Sequence, residues 1–181
     1  MKVTLLVISG ILILVAGTFA ANSPTDQGSN IIGGTAYISV EKGEDASLTT
    51  VYLMPSVGYF ISPRFMLGVT ISLISLSSGG NSSTAFGAGP EIRYYFPTTR
   101  NEFGEIRGSM YPFLGAFLSH LGEPGGYNNG TTQMGGFVGF DQMLSEQIAL
   151  EAQFRIFGTS YGGDESTTTF YLGAGLTAFL Y

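Results

Sequence analysis

The sequence predicts an all-β chain folded as an eight-stranded antiparallel up-and-down transmembrane β-barrel. Three observations lead there. An alternation of apolar with small or polar side chains, with period two, recurs in about eight segments from Thr35 to Tyr181. Charged residues make up only 11% of the chain, while glycine and aromatics abound, which is too little charge for a surface that meets water on every side. The N-terminus reads as an export signal.

In that signal, Lys2 supplies a short positive region and Val3 to Val15 a nearly continuous apolar run. Gly17-Thr18-Phe19-Ala20 offers small residues to a peptidase, with cleavage expected after Ala20. The run is shorter than the roughly 20 residues a membrane helix needs, so residues 1–20 read as a leader rather than a retained anchor. The chain has no cysteine, which excludes both a lipid-bearing cysteine and disulfide stapling. Residues 21–31 read as a short polar linker and 32–181 as the barrel domain. The net charge of −6, without a basic stripe, excludes nucleic acid as a partner.

The first strand, Thr35 to Glu41, sets Ala36, Ile38 and Val40 against Thr35, Tyr37, Ser39 and Glu41. Thr49 to Ile61 and Phe65 to Leu76 form a pair joined by the turn signal Ser62-Pro63-Arg64. Ala85 to Phe96 is the cleanest segment: Glu91, Arg93 and Tyr95 fall on one face, and Phe86, Ile92, Tyr94 and Phe96 on the other. Tyr111 to Leu121 and Thr131 to Leu144 pair across a Gly-rich link. Ile148 to Gly158 opposes Ile148, Leu150, Ala152, Phe154 and Ile156 to Ala149, Glu151, Gln153, Arg155 and Phe157, and Thr168 to Tyr181 closes the chain. A helix would scatter these charges around its circumference. The segments run roughly nine to fourteen residues, near what a tilted membrane strand requires.

Cost decides which face meets lipid. Glu91, Arg93, Glu151 and Arg155 would each cost on the order of 2–4 kcal/mol on the lipid side near the midplane, the acids at the low end. They are therefore expected inside, as a lumen ion-pair network, with Glu41, Gln133 and Asp141 as further lumen lining. An interior that side chains fill at eight strands suits such a network. Switched ion-pair partners would make it a gate, closed at rest. An even strand number puts the links 41–47, 77–83, 122–130 and 160–167 on one rim, expected outside, and 62–64, 97–109 and 144–147 on the other. The long 97–109 link is atypical for the periplasmic side.

The chain resembles the small eight-stranded outer-membrane barrels of the OmpA/OmpX type and the outer-membrane β-barrel-domain family of Gram-negative bacteria. The likeness covers Ile32 to Tyr181 and rests on four loose patterns: the run from Val57 to Gly68, Gly89-Pro90-Glu91-Ile92-Arg93-Tyr94-Tyr95-Phe96, Tyr111-Pro112-Phe113-Leu114-Gly115-Ala116, and Phe179-Leu180-Tyr181. It implies an outer-membrane location, outer-membrane lipid as surroundings, and the barrel-assembly machinery as a partner that reads Tyr181 as its signal. In that family the terminal aromatic faces lipid. Here the alternation through Leu172, Ala174, Leu176, Ala178 and Leu180 puts Tyr181 on the inner face, unless a bulge near Thr177 shifts the phase or the register differs.

Chemistry is sparse. The single histidine, His120, follows Ser119, and on a strand the two point to opposite faces, so they form no nucleophile–base pair. Outer-membrane lipid A deacylases also carry a histidine on a late strand, but they require a serine two positions after it, where this chain has Gly122. No catalytic residue, metal site or cofactor is expected. The acids Glu44, Asp45, Asp164 and Glu165 lack the ligand spacing of an oxygen cage. Tyr127 and Tyr161 are the loop residues suited to anchoring a surface contact. The expected function is an envelope or surface-interaction barrel without enzymatic activity. A soluble exported barrel that binds an apolar ligand is the alternative, and a narrow pore or a lipid-modifying enzyme the weaker ones.

Overall fold

Eight runs of alternating side chains with turn residues between them form eight strands. The structure, a computed structural model, describes residues 23–42, 47–78, 81–98, 106–122, 131–160 and 166–181. The expected leader at 1–20 and the loop residues Glu44, Asp45, Glu123, Tyr127, Tyr161, Asp164 and Glu165 lie outside the described residues.

The strands are β1 (Asn30–Lys42), β2 (Ser47–Ser62), β3 (Phe65–Ser78), β4 (Asn81–Tyr95), β5 (Met110–Gly122), β6 (Thr131–Met143), β7 (Ile148–Ser160) and β8 (Ser166–Leu180). Each pairs antiparallel with its sequence neighbours, and β8 closes on β1. Lengths run from 13 residues in β1 to 16 in β2, longer than the periodicity alone marked out, because Ser and Thr at the strand tops still hold ladder positions. Followed from Leu180 to Asn30, Tyr59, Leu67, Ile92, Ala116, Gly136 and Ile156, the registers return to β8 at Phe170. That offset of about ten residues is the stagger that closes a tilted sheet of eight strands.

The inside-out assignment holds strand by strand. Outward apolar residues run from Phe170 to Leu180 on β8, Ile148 to Ile156 on β7, Phe86 to Tyr94 on β4 and Leu53 to Ile61 on β2. These bands span about nine to eleven residues, the length a tilted strand needs to cross a bilayer. The lumen, however, is less polar than the alternation suggested. Phe60, Tyr95, Tyr111, Phe113, Phe117, Phe137, Phe157 and Phe179 are buried there beside the charges.

The rim that carries 62–64, 106–109 and 144–147 gains an extra segment beside the turn after β2. Residues 23–29, the described part of the expected linker, fold back under it. Gly28 N donates to Phe60 O (3.0 Å), Phe60 N to Ser29 O (2.9 Å) and Arg64 N to Thr25 O (2.7 Å). As a result β1 opens at Asn30, two residues before the expected barrel start at Ile32. In the turn that follows β2, Arg64 adopts φ 69°, and the register shifts between Phe60 and Ser62. Strand β8 pairs without interruption through Thr177 on both sides, so no bulge resets its phase. Phe179 is fully buried in the lumen, and Tyr181, just past the strand, packs against the same cluster while its hydroxyl donates to Glu146 O (2.8 Å).

Candidate functional site

Period-two alternation turns Glu91 and Arg93 of β4 and Glu151 and Arg155 of β7 into the lumen, where each is at most 2% exposed. Two strands face each other across the barrel, so the four side chains meet. Arg93 Nε lies 2.6 Å from Glu91 Oε1, Arg93 Nη1 3.1 Å from Glu151 Oε2, and Arg155 Nη2 3.2 Å from Glu91 Oε2. Glu91 thus serves two arginines and Arg93 serves two acids. Arg93 Nη2 also donates to Ser56 Oγ (3.3 Å), and Thr177 Oγ1 donates to Glu151 Oε2 (2.6 Å).

Room for the long side chains comes from glycine. Arg93 has Gly115 as its neighbour across β4 and β5, and Glu151 has Gly175 across β7 and β8. A Cβ on Gly115 would stand 2.3 Å from Phe137 Cζ. The Phe137 ring needs that space, since both guanidinium carbons lie over it, Arg155 at 4.4 Å and Arg93 at 5.3 Å from its centroid. Phe113 and Phe117 cover the outer faces of the same cations at 4.9 and 4.7 Å. The charges are paired and roofed by aromatic rings, and side chains fill the lumen at this level.

Of the further lining residues, Asp141 is fully buried and accepts a hydrogen bond from Tyr95 Oη at 3.0 Å. Gln133 is buried higher in the lumen and donates to Thr159 Oγ1 at 3.4 Å. Glu41 holds a ladder position opposite Leu48, but its side chain lies outside the described residues. Sequence reasoning missed the partners: Ser56, Thr177, Tyr95 for Asp141, and a second cluster in which Gln153 donates to Thr35 Oγ1 (2.5 Å) while Tyr171 Oη donates to Met54 Sδ (2.6 Å). The signal that could have found them was the inward phase of Thr35, Met54, Ser56 and Thr177 on their own strands.

Ser119 and His120 do point apart. Ser119 is buried and its Oγ is 3.3 Å from Ser72 Oγ, while His120 is exposed with Nδ1 3.4 Å from Thr132 Oγ1. Among the described residues no group of three or more histidine, cysteine, aspartate or glutamate side chains could hold a metal ion.

No protein family and no curated protein matches the sequence. Solved structures share its architecture, among them two from one bacterium. The N-terminal β-barrel domain of Pseudomonas aeruginosa OprF superposes with a TM-score of 0.52 at 17% identity, over 84% of this chain and 98% of that one. The outer membrane protein OprG from Pseudomonas aeruginosa gives a TM-score of 0.51 at 13% identity, over 88% of this chain and all of that one. At such identities the likeness is one of fold: the chain has the architecture of the small eight-stranded outer-membrane barrels.

Proposed function

We propose that the chain is an integral outer-membrane barrel without enzymatic activity that serves envelope integrity or surface interaction. The observation that carries this reading is the distribution of its side chains. Ile92, Leu114, Val138, Phe154 and Leu172 are exposed around the outer wall, while the arginines and glutamates of β4 and β7 are buried. A soluble exported barrel would present the reverse, so the apolar wall favours lipid as the outer solvent. One of the solved structures of like fold, OprG, is an outer membrane protein, which supports the same location. The expected leader agrees with export, and Tyr181 is the residue proposed to be read during assembly. Cells that express the chain test this: after a carbonate wash the processed protein should stay with the outer membrane and migrate faster unboiled than boiled. Recovery in the soluble periplasm would refute it.

A second reading is supported by the shared partners in the lumen. Because Glu91 serves both arginines and Arg93 both acids, an exchange of partners could open a narrow water path. The aromatic roof over the network favours a lumen closed at rest. Steady conductance of the wild-type chain in a planar bilayer would contradict that.

A further inference from the structure

The seam between β1 and β8 is where the wall is least complete. Seven pairs join the two strands, from Asn30 with Leu180 to Ala36 with Ala174, and the shared ladder ends there although β1 continues to Lys42. The gap at Pro90 between β4 and β5 is of another kind, since pairing resumes at Ala88. At the seam the apolar band outlasts the ladder. Ile38 on β1 and Phe170 and Leu172 on β8 are 66%, 62% and 71% exposed, among the most exposed large apolar residues described. A spanning strand needs about nine to eleven residues, so a seven-residue ladder leaves the top of this seam open within the hydrocarbon layer. Backbone donors and acceptors are tolerated at that depth only where protein, water or a polar ligand meets them.

Two features say what fits there. Just below the opening, Gly34, Ala36 and Ala174 thin the outer wall into a groove of about 530 Å³ between Leu53 and Leu176, wide enough for an alkyl chain. Behind the opening, Tyr37 and Tyr171 stack across the two strands with ring centroids 4.9 Å apart, giving the slot an amphipathic inner face.

We propose that the seam binds a single-chain amphiphile of the surrounding leaflet, with its acyl chain in the groove and its polar head hydrogen-bonded to the open edges of β1 and β8. The proposal rests on the membrane reading above. A strand from a partner protein fits less well. It would need about 4.8 Å to each neighbour, would run parallel to one of two antiparallel edges, and would pull apart the Tyr37–Tyr171 stack.

The test uses the full chain in phosphatidylethanolamine–phosphatidylglycerol vesicles with a diazirine-tagged palmitic acid, and maps the labelled residues by mass spectrometry. Labelling should concentrate at 34–38 and 170–176, about fivefold over Leu114 and Val138 on the opposite wall, the preference one added hydrogen bond supplies. Ile38 and Leu172 would face each other if the ladder ran on, and the chain has no native cysteine. An Ile38→Cys/Leu172→Cys disulfide should therefore bring seam labelling down to the level of the wall, and reduction should restore it. Even labelling around a chain that floats with the vesicles overturns this inference alone, as does seam labelling that the disulfide leaves unchanged. A chain that does not float overturns the membrane reading instead.

Discussion

Replacing Glu91 with glutamine tests whether the lumen network is a dry, paired assembly. Glu91 is the carboxylate that joins Arg93 at 2.6 Å and Arg155 at 3.2 Å, and it is fully enclosed. Glutamine keeps the shape and removes the charge. Arg93 retains Glu151, but no other ion pair reaches Arg155 among the described residues, and its Nε already lacks a protein partner. Asp141 cannot stand in, because its carboxylate is held by Tyr95 and forms no ion pair with either arginine. Stranding one buried guanidinium costs about 3–5 kcal/mol by analogy with broken buried pairs. The cation–π contacts with Phe117 and Phe137 are present before and after the change, so they cancel in the difference and leave the low end of that range as the expectation. A net loss of about 3 kcal/mol is expected for Glu91→Gln. Adding Arg155→Met, which leaves an apolar chain beside Met54 and the rings, should recover most of it. Urea titration of the barrel in lipid vesicles, read by heat-modifiable migration, measures both. A Glu91→Gln barrel within about 1 kcal/mol of wild type would show that water or another group solvates Arg155, and the account of a filled lumen would fail.

Further outcomes follow from single contacts. Gly115→Ala should cost about 1–3 kcal/mol in the same titration, since its Cβ meets the Phe137 ring and the Ile92 carbonyl, and Phe137→Leu in the same chain should recover part of the loss. Arg64→Gly should raise stability by about 0.5–1 kcal/mol, because an exposed arginine is held at φ 69° where glycine is unstrained. Tyr181→Phe removes the hydrogen bond to Glu146 O and should cost about 0.5–1.5 kcal/mol in vitro, while deletion of Tyr181 should reduce insertion in cells far more than refolding in vesicles. Backbone amides of 37–42 should exchange faster than those of 51–53 and 56–59, which are held in ladders with both neighbouring strands.

The architecture was legible because alternation in β4 and β7 is almost undiluted: charges confined to one face of a strand, as at 91 and 93 or 151 and 155, can face only one way, and their cost in lipid says which. The inward phase of Glu91, Arg93, Glu151 and Arg155 was therefore readable, and so was that of Tyr181. Who pairs with whom was not. Arg93 and Glu151 are 58 positions apart, and their meeting depends on the stagger summed over the intervening strands. The aromatic filling was obscured for a different reason. Phe113, Phe117 and Phe137 alternate with Leu114, Leu118 and Val138, so both faces of β5 and β6 read as apolar and the contrast that marks a lumen is lost. The fold-back of 23–29 uses backbone hydrogen bonds, which leave no trace in side-chain pattern.

The most direct test of the central claim is a single-cysteine scan along β7, from Ile148 to Ser160, with spin labels on the chain in vesicles and with oxygen and a water-soluble relaxant as probes. Oxygen access should peak at Leu150, Ala152, Phe154 and Ile156 and fall at Glu151, Gln153, Arg155 and Phe157, with little access by the aqueous probe at either set. Aqueous access at Leu150 to Ile156, or the absence of a two-residue period, would contradict a lipid-facing apolar wall around a filled, charged lumen.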